Sequence, residues 1–493
     1  FNNCFTQNRF IDEWKIAVVT PLFKKGDITN LNNYRGISVL PITAKIFEKV
    51  IEKQIRSYFI VNKLFSVNQH GFREGHSCES ALHEIISTCF SNLEKKLINL
   101  LIFIDFKKAF DYVDQQILIQ KLLHYGFSNN AIYLIKDYFK NRHQLVKLSI
   151  DHISNTNKLE LGVPQGSVLG PLLFLIFIND MPDHLKNQIV KLFADDTTIL
   201  LSDYNLESVN NLANKALLEL IEWCNYNKLL INWDKTYYMI ITNKRIIKQK
   251  YLKINGNSIE ITNNFKLLGV YIDDKLNFEY HVSKQCISIN RKLYAIRRLY
   301  FLPFSIKIQF FKTFILPYFD YCMSLLFYYS KKAIQKLCKM YYLCLNKLFR
   351  FKFPNMDSIE INHFLKTNNL FSFEHRLTFR SFMFINRLII CKNGPTELKN
   401  KMTKKTQNKS TYNLRSNGRS LIPCDRLRCR YGEKTFNFIS SKIINNLNFI
   451  NFYEIKNNIF KQDLLLYLDT IFLYLKNNFI NFNLNLDFYF FKN

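Results

Sequence analysis

The segment Val190-Lys-Leu-Phe-Ala-Asp-Asp-Thr-Thr-Ile-Leu-Leu201 places two adjacent acids between two apolar runs that contain β-branched residues. Two such runs joined by a short polar turn are typical of a β-hairpin. The sequence therefore predicts a hairpin with Asp195 and Asp196 at its tip. A solvated acidic turn is the alternative for the doublet taken alone, because acidic turns are common.

A third acid follows another apolar run, Leu101-Ile-Phe-Ile-Asp105. A buried strand that ends in Asp105 would present this carboxylate where the chain turns toward the next helix. Adjacent acids repel, so a cluster of three is unfavourable unless divalent cations neutralise it. Two ions about 4 Å apart would activate an attacking hydroxyl and stabilise a leaving phosphate oxygen. The three acids thus point to phosphoryl-transfer chemistry.

Between these acids lies Leu161-Gly-Val-Pro-Gln-Gly-Ser-Val-Leu-Gly-Pro171, which is rich in glycine and proline. Glycine allows a ligand to approach the backbone, proline stiffens the loop, and Gln165 offers both an amide donor and an acceptor. The loop is a candidate nucleotide contact, and a plain turn remains the alternative.

The wider pattern predicts an α+β domain. Residues 100–272 alternate short apolar strands with helical stretches such as 117–124 and 209–225. The first 99 residues mix β-like runs, such as 16–20, with a helical pattern at 44–59.

Beyond residue 281 the pattern becomes helical and basic. One helical face is apolar and comprises Val282, Cys286, Ile289, Leu293 and Ile296. The opposite face bears a stripe of cations, Lys284, Arg291 and Arg298. An ordinary surface helix and a phosphate-tracking helix explain this segment equally well. Residues 333–350 predict a second amphipathic helix of the same kind. The polar, lysine-rich residues 393–410 predict a linker. No function is assigned to residues 411–493.

Composition favours a polyanionic partner. The chain has 68 Lys and Arg against 39 Asp and Glu, a net charge of +29. Nucleic acid relieves such self-repulsion, and no apolar run is long enough for a membrane-spanning helix, so no membrane association is expected. The eleven cysteines form no zinc-type pattern and are expected to be free thiols. The chain begins with Phe1 instead of Met, and we expect it to be a fragment of a longer product.

Six ordered blocks together carry a family resemblance. Three have been described, around Asp105, Gln165 and Asp195. The others are Lys15-Ile-Ala-Val-Val-Thr-Pro-Leu-Phe-Lys-Lys-Gly-Asp27, Asn33-Tyr-Arg-Gly-Ile-Ser-Val-Leu-Pro41 and Gln69-His-Gly-Phe-Arg73. With these blocks the chain resembles the reverse transcriptases of non-LTR (LINE-type) retrotransposons of the jockey-like group. Two later segments are also similar to that family: Asn232-Trp-Asp-Lys-Thr236, and Phe265-Lys-Leu-Leu-Gly-Val-Tyr-Ile-Asp273, which resembles its primer grip.

The resemblance implies a right-hand polymerase with an additional, mainly helical C-terminal region. It places an N-terminal segment and fingers at 1–99, a palm at 100–280 and a helical basic thumb or connection at 281–392. The reverse transcriptase domain itself would cover about 14–274.

The resemblance also implies roles for individual residues. Asp105 and Asp195 would be the principal metal ligands, with Asp196 assisting, for Mg²⁺ or alternatively Mn²⁺. Phe110 would screen out the ribose 2′-hydroxyl, and Lys235 would protonate the leaving pyrophosphate. The expected nucleotide contacts are Lys24, Lys25, Arg35, Phe110, Gln165 and Lys235. The expected nucleic-acid contacts are Gly166, Leu268, Gly269, Lys284, Arg291 and Arg298.

The leading hypothesis is an RNA-directed DNA polymerase that copies retrotransposon RNA by two-metal nucleotidyl transfer. Its partners would be an RNA template, a DNA primer or target and deoxynucleoside triphosphates, and the family's way of life suggests the nucleus and cytoplasm. One alternative is a catalytically inactive, retrotransposon-derived relic that only binds nucleic acid. Another is a different right-hand polymerase, either an RNA-copying RNA polymerase or an intron maturase.

Overall fold

A computed structural model provides the structure of the chain. It describes residues 1–185, 188–245, 251–254, 256–297, 301–348, 363–365, 367–402, 427, 429–447, 450–452, 456–467 and 470–471. Within those ranges, no helix is both long enough and apolar enough to span a lipid bilayer.

The N-terminal 99 residues contain a β-hairpin and two long helices. In chain order the elements are α1 (Asn2–Thr6), β1 (Ile16–Phe23), β2 (Tyr34–Val39), α2 (Ile42–Val61) and α3 (Cys78–Glu94). The helix predicted at 44–59 is confirmed as α2, and its Phe47 and Phe59 are fully buried. Ser77 is the N-cap of α3. Its hydroxyl accepts from the Ser80 backbone N–H, and the Ser80 hydroxyl accepts from the Ser77 N–H in return.

The central part of the chain alternates strands and helices, as predicted. Its elements are β3 (Ile98–Ile104), α4 (Gln115–His124), α5 (Asn129–Phe139), β4 (His143–Val146), β5 (Asn157–Lys158), α6 (Leu169–Ile178), α7 (Met181–His184), β6 (Ile189–Phe193), β7 (Asp196–Asp203), α8 (Leu206–Asn227), β8 (Tyr237–Ile241), β9 (Tyr251–Ile254), β10 (Asn257–Ile261), β11 (Asn264–Leu267) and β12 (Val270–Asp273).

A six-stranded sheet forms the centre of this region, in the order β6-β7-β3-β8-β10-β9. Strand β3 pairs antiparallel with both β7 and β8. A four-stranded sheet, in the order β2-β1-β4-β5, joins the N-terminal hairpin to the central region. Strands β11 and β12 form a separate hairpin.

Strand β3 is buried along its whole length because both faces of the central sheet are covered. Successive side chains of a strand point to opposite faces. Accordingly Leu100 and Ile102 pack in one hydrophobic core with α2, α4, α6 and α8. Leu101 and Phe103 pack in a second core with α3 and the helices that follow residue 278. The strand therefore holds the two cores together.

The C-terminal part described is helical. Its α-helices are α9 (Glu279–Arg297), α10 (Phe304–Phe310), α11 (Leu316–Asp320), α12 (Lys331–Leu348), α13 (Phe373–Ile390), α14 (Thr396–Asn400), α15 (Phe436–Asn446) and α16 (Asn457–Leu466).

The predicted apolar face of α9 is confirmed where side chains are described. Val282, Cys286, Ile289 and Leu293 are buried. The Ile296 side chain lies outside the described residues, as does Arg298. The helix predicted at 333–350 corresponds to α12.

The predicted linker at 393–410 differs from the structure over its described half. Residues 396–400 form α14, and Leu398 and Met402 are buried in the second core. Glu397 forms a salt bridge with Lys191 of β6, with 2.8 Å between Oε1 and Nζ. This half is packed because two apolar side chains in a polar stretch are enough to anchor one helical turn. Residues 403–410 lie outside the described part of the chain.

The packing of β3 yields a stability prediction. Leu101 is 0% exposed, and its replacement by Ala removes a buried side chain from the second core. We expect Leu101→Ala to destabilise the protein by about 2–5 kcal/mol through lost burial and a residual cavity. The melting temperature in differential scanning fluorimetry measures this loss.

Leu218→Ala on α8 is the matched control, because Leu218 is 46% exposed. An equal fall in melting temperature for both variants would contradict the central position assigned to β3.

Candidate active site

The predicted β6-β7 hairpin is present, and the pairing refines the position of its acids. Phe193 pairs with Asp196, so Ala194 and Asp195 form a two-residue turn and Asp196 begins β7. Ala194 has a φ of +54°, a left-handed conformation that costs a non-glycine residue roughly 1–2 kcal/mol. The acidic tip is therefore a strained turn that its surroundings must hold.

The register of the central sheet brings the third acid to this turn. Ile104, the last residue of β3, pairs with Thr197 of β7. The next position along the same antiparallel ladder sets Asp105 beside Asp196. One strand pair thus brings together two acids that are 91 residues apart in the sequence.

Asn232 holds Asp105 in place. Its side-chain Nδ2 donates to Asp105 Oδ2 at 2.8 Å, and its backbone N–H donates to the Asp105 carbonyl oxygen at 2.8 Å. The motif around Lys235 contains Asn232, but sequence analysis gave Asn232 no role. The residue type and its place in the motif were visible, whereas the contact spans 127 positions.

The pKa values of the doublet are raised. Desolvation by the surrounding protein, followed by the charge of Asp105, raises the pKa of Asp195, and Arg35 opposes that shift. Desolvation, then the charges of Asp195 and Asp105, raise the pKa of Asp196 to about 6, although this side chain reaches solvent. The three carboxylates therefore repel one another, and Arg35 is a cation close enough to Asp195 to oppose the rise of its pKa.

These carboxylates interact by charge without converging into a closed ligand set. Among the residues whose placement is described, no three His, Cys, Asp or Glu side chains form a group that could hold a metal ion.

The glycine-rich loop before α6 is wedged between β2 and the segment that follows β3. The Ser38 backbone N–H donates to the Gln165 carbonyl oxygen at 2.6 Å, and Gln165 Nε2 donates to Asp111 Oδ1 at 2.8 Å. Gly166 has a φ of +126°, and a Cβ there would lie 2.2 Å from the Ser38 carbonyl oxygen. Asp111, which sequence analysis did not select, fixes the amide orientation of Gln165.

Phe110 lies beside the same loop. Its ring stacks on that of Phe174, with 4.2 Å between centroids and 21° between planes. Phe174 is fully buried in α6, whereas Phe110 is only partly buried. The Phe110 carbonyl oxygen accepts from the Val163 N–H at 2.9 Å. One face of the Phe110 ring is therefore supported by Phe174, and its backbone is fixed by a hydrogen bond to the loop.

The three lysines predicted to contact the nucleotide are all exposed. Lys24 and Lys25 are exposed in the loop that joins β1 to β2, and the Lys24 N–H donates to the Asn33 carbonyl oxygen at 2.8 Å. Lys235 is exposed at the end of a short 3₁₀ helix, three residues after Asn232.

The segment that resembles a primer grip is the β11-β12 hairpin. Both of its turn residues have positive φ, +46° at Leu268 and +85° at Gly269. The Tyr321 hydroxyl donates to the Leu268 carbonyl oxygen at 2.6 Å, and a Cβ on Gly269 would lie 2.9 Å from the Tyr321 ring. Tyr321 thus supports this turn directly.

The exposed side of α9 combines cations with aromatic rings. Lys284 and Arg291 are exposed, and Lys284 Nζ lies 5.2 Å from the centroid of the Tyr280 ring. Tyr294 is 63% exposed. The cations are among the predicted nucleic-acid contacts and the tyrosines are not, although rings among cations are a recurrent single-strand binding pattern.

Comparison with known proteins identifies a family and several relatives to which this chain is similar. A family model described as "Reverse transcriptase (RNA-dependent DNA polymerase)" matches residues 23–272. The "RNA-directed DNA polymerase from mobile element jockey" of Drosophila melanogaster is 26% identical over 350 residues, which are 68% of this chain and 38% of that protein. Its counterpart from Drosophila funebris is 29% identical over 292 residues, 57% of this chain and 31% of that protein.

The chain spans about a third of the length of the curated relatives that it matches, between 31% and 38% for the first three. Among solved structures, a telomerase from Candida tropicalis bound to a fragment of telomeric RNA aligns with a TM-score of 0.40 and 12% identity. That alignment covers 81% of this chain and 66% of the telomerase chain.

The raised pKa of Asp196 yields a prediction about stability without metal. A folded-state pKa of about 6 against an ordinary value of 3.8 means that the folded chain binds this proton more tightly than the unfolded chain. The resulting stability is present below about pH 4 and is lost as the pH rises through about 6. In EDTA at pH 7.5, Asp196→Asn should therefore melt at a higher temperature than the wild type, and the difference should disappear below about pH 4.

Asp203→Asn, at the other end of β7, controls for the loss of one negative charge from a cationic protein. A stabilisation by Asp196→Asn that is the same at pH 4 and pH 7.5 would contradict the raised pKa assigned to Asp196.

Proposed function

The chain belongs to the reverse transcriptase (RNA-dependent DNA polymerase) family, and we propose that it copies RNA into DNA by nucleotidyl transfer at Asp105, Asp195 and Asp196. In this assignment the central sheet is the palm of a right-hand polymerase. The fingers are the β1-β2 hairpin with the helices that follow it, and α9 begins the thumb.

One observation carries the proposal: the pairing of β3 with β7 sets Asp105 beside the Asp195-Asp196 turn, inside the range that the family model matches. Carboxylates that repel one another in a packed protein cost stability. A functional requirement for concentrated negative charge explains why the fold keeps them together.

The donor set fits hard divalent cations, for which carboxylate oxygens are the preferred ligands. We propose Mg²⁺, with Mn²⁺ as the alternative, bound by Asp105, Asp195 and Asp196. When bound, such ions supply activation of the attacking hydroxyl and charge neutralisation at the leaving phosphate oxygen. In the structure the three side chains do not form a closed metal-binding group among the described residues. Desolvation, and after it the charge of neighbouring acids, raises the pKa values of Asp195 and Asp196, and bound cations would favour the ionised forms of both carboxylates.

The residues around the acids suit a triphosphate. Arg35 is close enough to affect the pKa of Asp195, so a nucleotide over the acids would also lie near this guanidinium. Lys24 and Lys25 extend the positive charge along the β1-β2 loop. Gln165 contributes an amide fixed by Asp111, and Lys235 is the proposed proton donor to the leaving pyrophosphate.

Phe110 is the proposed barrier to ribonucleotides. Its ring rests on the buried Phe174 and cannot retreat into the core, so a ribose 2′-hydroxyl placed against it would clash. Deoxynucleoside triphosphates are therefore the proposed substrates.

Template and primer would lie across the basic surface. The loop at Gly166 and the turn at Leu268 and Gly269 would contact nucleic acid near the acids, and Lys284 and Arg291 would bind phosphates farther out. The matched relatives come from mobile elements, so we propose retrotransposon RNA as the template and a DNA end as the primer. For such a role we propose the nucleus and, together with its RNA, the cytoplasm as the locations of the protein.

Primer extension tests the proposal directly. The wild-type chain should extend a DNA primer on an RNA template with Mg²⁺ and four deoxynucleotides. Asp195→Asn should lower the extension rate by at least about a hundredfold, because a neutral amide supplies neither the charge nor the ligand strength of a carboxylate.

Asp203→Asn serves as the matched control and should stay within about twofold of the wild type, as expected for a substitution outside the site. Template binding without incorporation by the wild type would instead identify an inactive nucleic-acid-binding relic.

The barrier has its own test. Phe110→Ala should raise the ratio of ribonucleotide to deoxynucleotide incorporation by at least about tenfold, since the clash with the 2′-hydroxyl is removed. Single-nucleotide incorporation kinetics with each substrate measure this ratio.

Tyr112→Ala, two residues along the chain at a partly exposed ring, is the control and should leave the ratio unchanged. No gain by Phe110→Ala would remove Phe110 from the role of sugar discrimination.

A further inference from the structure

We propose that Gln69 is a positioning residue that sets the conformation of the Ala194-Asp195 turn and so places the acidic doublet for catalysis. The inference rests on the proposed function of the doublet. It gives a physical role to the Gln69-His70-Gly71 block, which has no other role in the reaction described above.

The turn needs an external restraint. Ala194 holds a φ of +54°, which an alanine adopts at a cost, and it directly precedes Asp195. If Ala194 relaxed to a negative φ, the backbone at Asp195 would rotate. Both carboxylates of the doublet would then leave the positions that the β3-β7 register gives them.

Gln69 supplies a restraint at that residue. Its side-chain Oε1 accepts from the Ala194 N–H at 3.1 Å and from the Gly71 N–H at 2.8 Å. Gln69 is 1% exposed, so water does not compete for these bonds. The buried Nε2 makes no hydrogen bond among the described residues. The function of the side chain at this position is therefore that of an acceptor.

The backbone around Gln69 is itself joined to the hairpin. The His70 N–H donates to the Leu192 carbonyl oxygen at 2.8 Å, and the Leu192 N–H donates to the Asn68 carbonyl oxygen at 2.9 Å. Residues 68–70 thus add a short parallel bridge to the outer edge of β6, the terminal strand of the central sheet. This bridge fixes the position of Gln69 along β6 and therefore its distance from the turn.

Gly71 allows the close approach that the bonds require. A Cβ at this position would lie 2.3 Å from the Ala194 backbone nitrogen and 2.9 Å from the Phe193 carbonyl carbon. Both are backbone atoms that cannot move aside without shifting the turn. The glycine is therefore explained by contact with the acidic hairpin.

A buried ionic cluster anchors the block from behind. The His70 ring contacts Ser80 Oγ at 3.0 Å and Glu84 Oε2 at 3.1 Å, and Lys191 Nζ lies 2.7 Å from the same Glu84 oxygen. Burial would raise the pKa of Glu84, but the hydrogen bonds and charges of His70 and Lys191 lower it to about 2. The segment that holds the turn is consequently tied to α3 and β6 through the Glu84 carboxylate, which remains ionised at neutral pH.

The experiment compares two substitutions of Gln69 in the full chain. Gln69→Met keeps the length and removes the acceptor, whereas Gln69→Glu keeps an accepting oxygen. We expect Gln69→Met to lower kcat for deoxynucleotide incorporation by at least about tenfold. This is the change in rate expected when the activation free energy rises by the contribution of one hydrogen bond. The KM for deoxynucleotide and the Kd for RNA template should change by less than about threefold, because the bound groups are elsewhere. Gln69→Glu should lose less activity than Gln69→Met, because its oxygen still accepts from the Ala194 and Gly71 N–H groups even though it adds a charge beside the acidic doublet.

Two further measurements separate positioning from general damage. Hydrogen–deuterium exchange of peptides that span 190–197 should accelerate in Gln69→Met and not in Gln69→Glu. Adding Ala194→Gly to Gln69→Met should restore part of the lost kcat, because glycine holds a positive φ without a restraint. Wild-type kcat and wild-type exchange in Gln69→Met would overturn the inference, as would an equal loss in the Glu and Met variants.

The wild type and Asp195→Asn are assayed beside these variants. If the wild type itself does not extend a primer, the proposed function fails, and exchange at 190–197 still decides whether Gln69 holds the turn.

Discussion

The structure depends on the burial of β3 on both of its faces. Seven consecutive buried residues, Ile98–Ile104, divide their side chains between two hydrophobic cores, so the strand can shift neither along nor across the sheet without opening one of them. A slip of one residue would exchange the two sets of side chains and is strongly disfavoured. This constraint delivers Asp105 to a fixed point at the end of the strand, next to β7.

The three acids and the turn between them are destabilising by themselves, and contacts from neighbouring segments hold them in place. Three carboxylates repel one another, and Ala194 adds a left-handed residue to the turn between them. Local strain of this kind persists only where the surroundings over-determine the conformation. Asn232 fixes Asp105 from the segment before β8, and Gln69 and Gly71 enclose the turn from the segment before α3. The acids are thus held by segments that are distant in sequence and carry no catalytic charge themselves.

The rest of the proposed nucleotide site is assembled in the same way. The Gln165 loop is held between Ser38 of β2 and Asp111 after β3, so the N-terminal hairpin and the segment after β3 both contact this short glycine-rich loop. Phe110 leans on Phe174 of α6. On the far side, Glu397 of α14 reaches Lys191, whose ammonium also contacts Glu84 behind the acidic hairpin. The C-terminal helices are therefore physically continuous with the support of the active site.

The sequence by itself determined the local elements and the identity of the acids. Short apolar runs predicted the strands and the acidic hairpin, a period of 3.6 predicted the buried face of α9, and ordered motifs predicted the family. Each of these signals resides in a few neighbouring residues. The tertiary structure alone decided that Asn232 binds Asp105, that Asp111 orients Gln165, that Gln69 contacts Ala194 and that Leu398 and Met402 are packed in the second core. These contacts join segments from 54 to more than 200 residues apart. The residues next to a polar side chain in the sequence do not indicate its hydrogen-bond partner. That partner depends on strand register and core packing, which exist only in the folded chain.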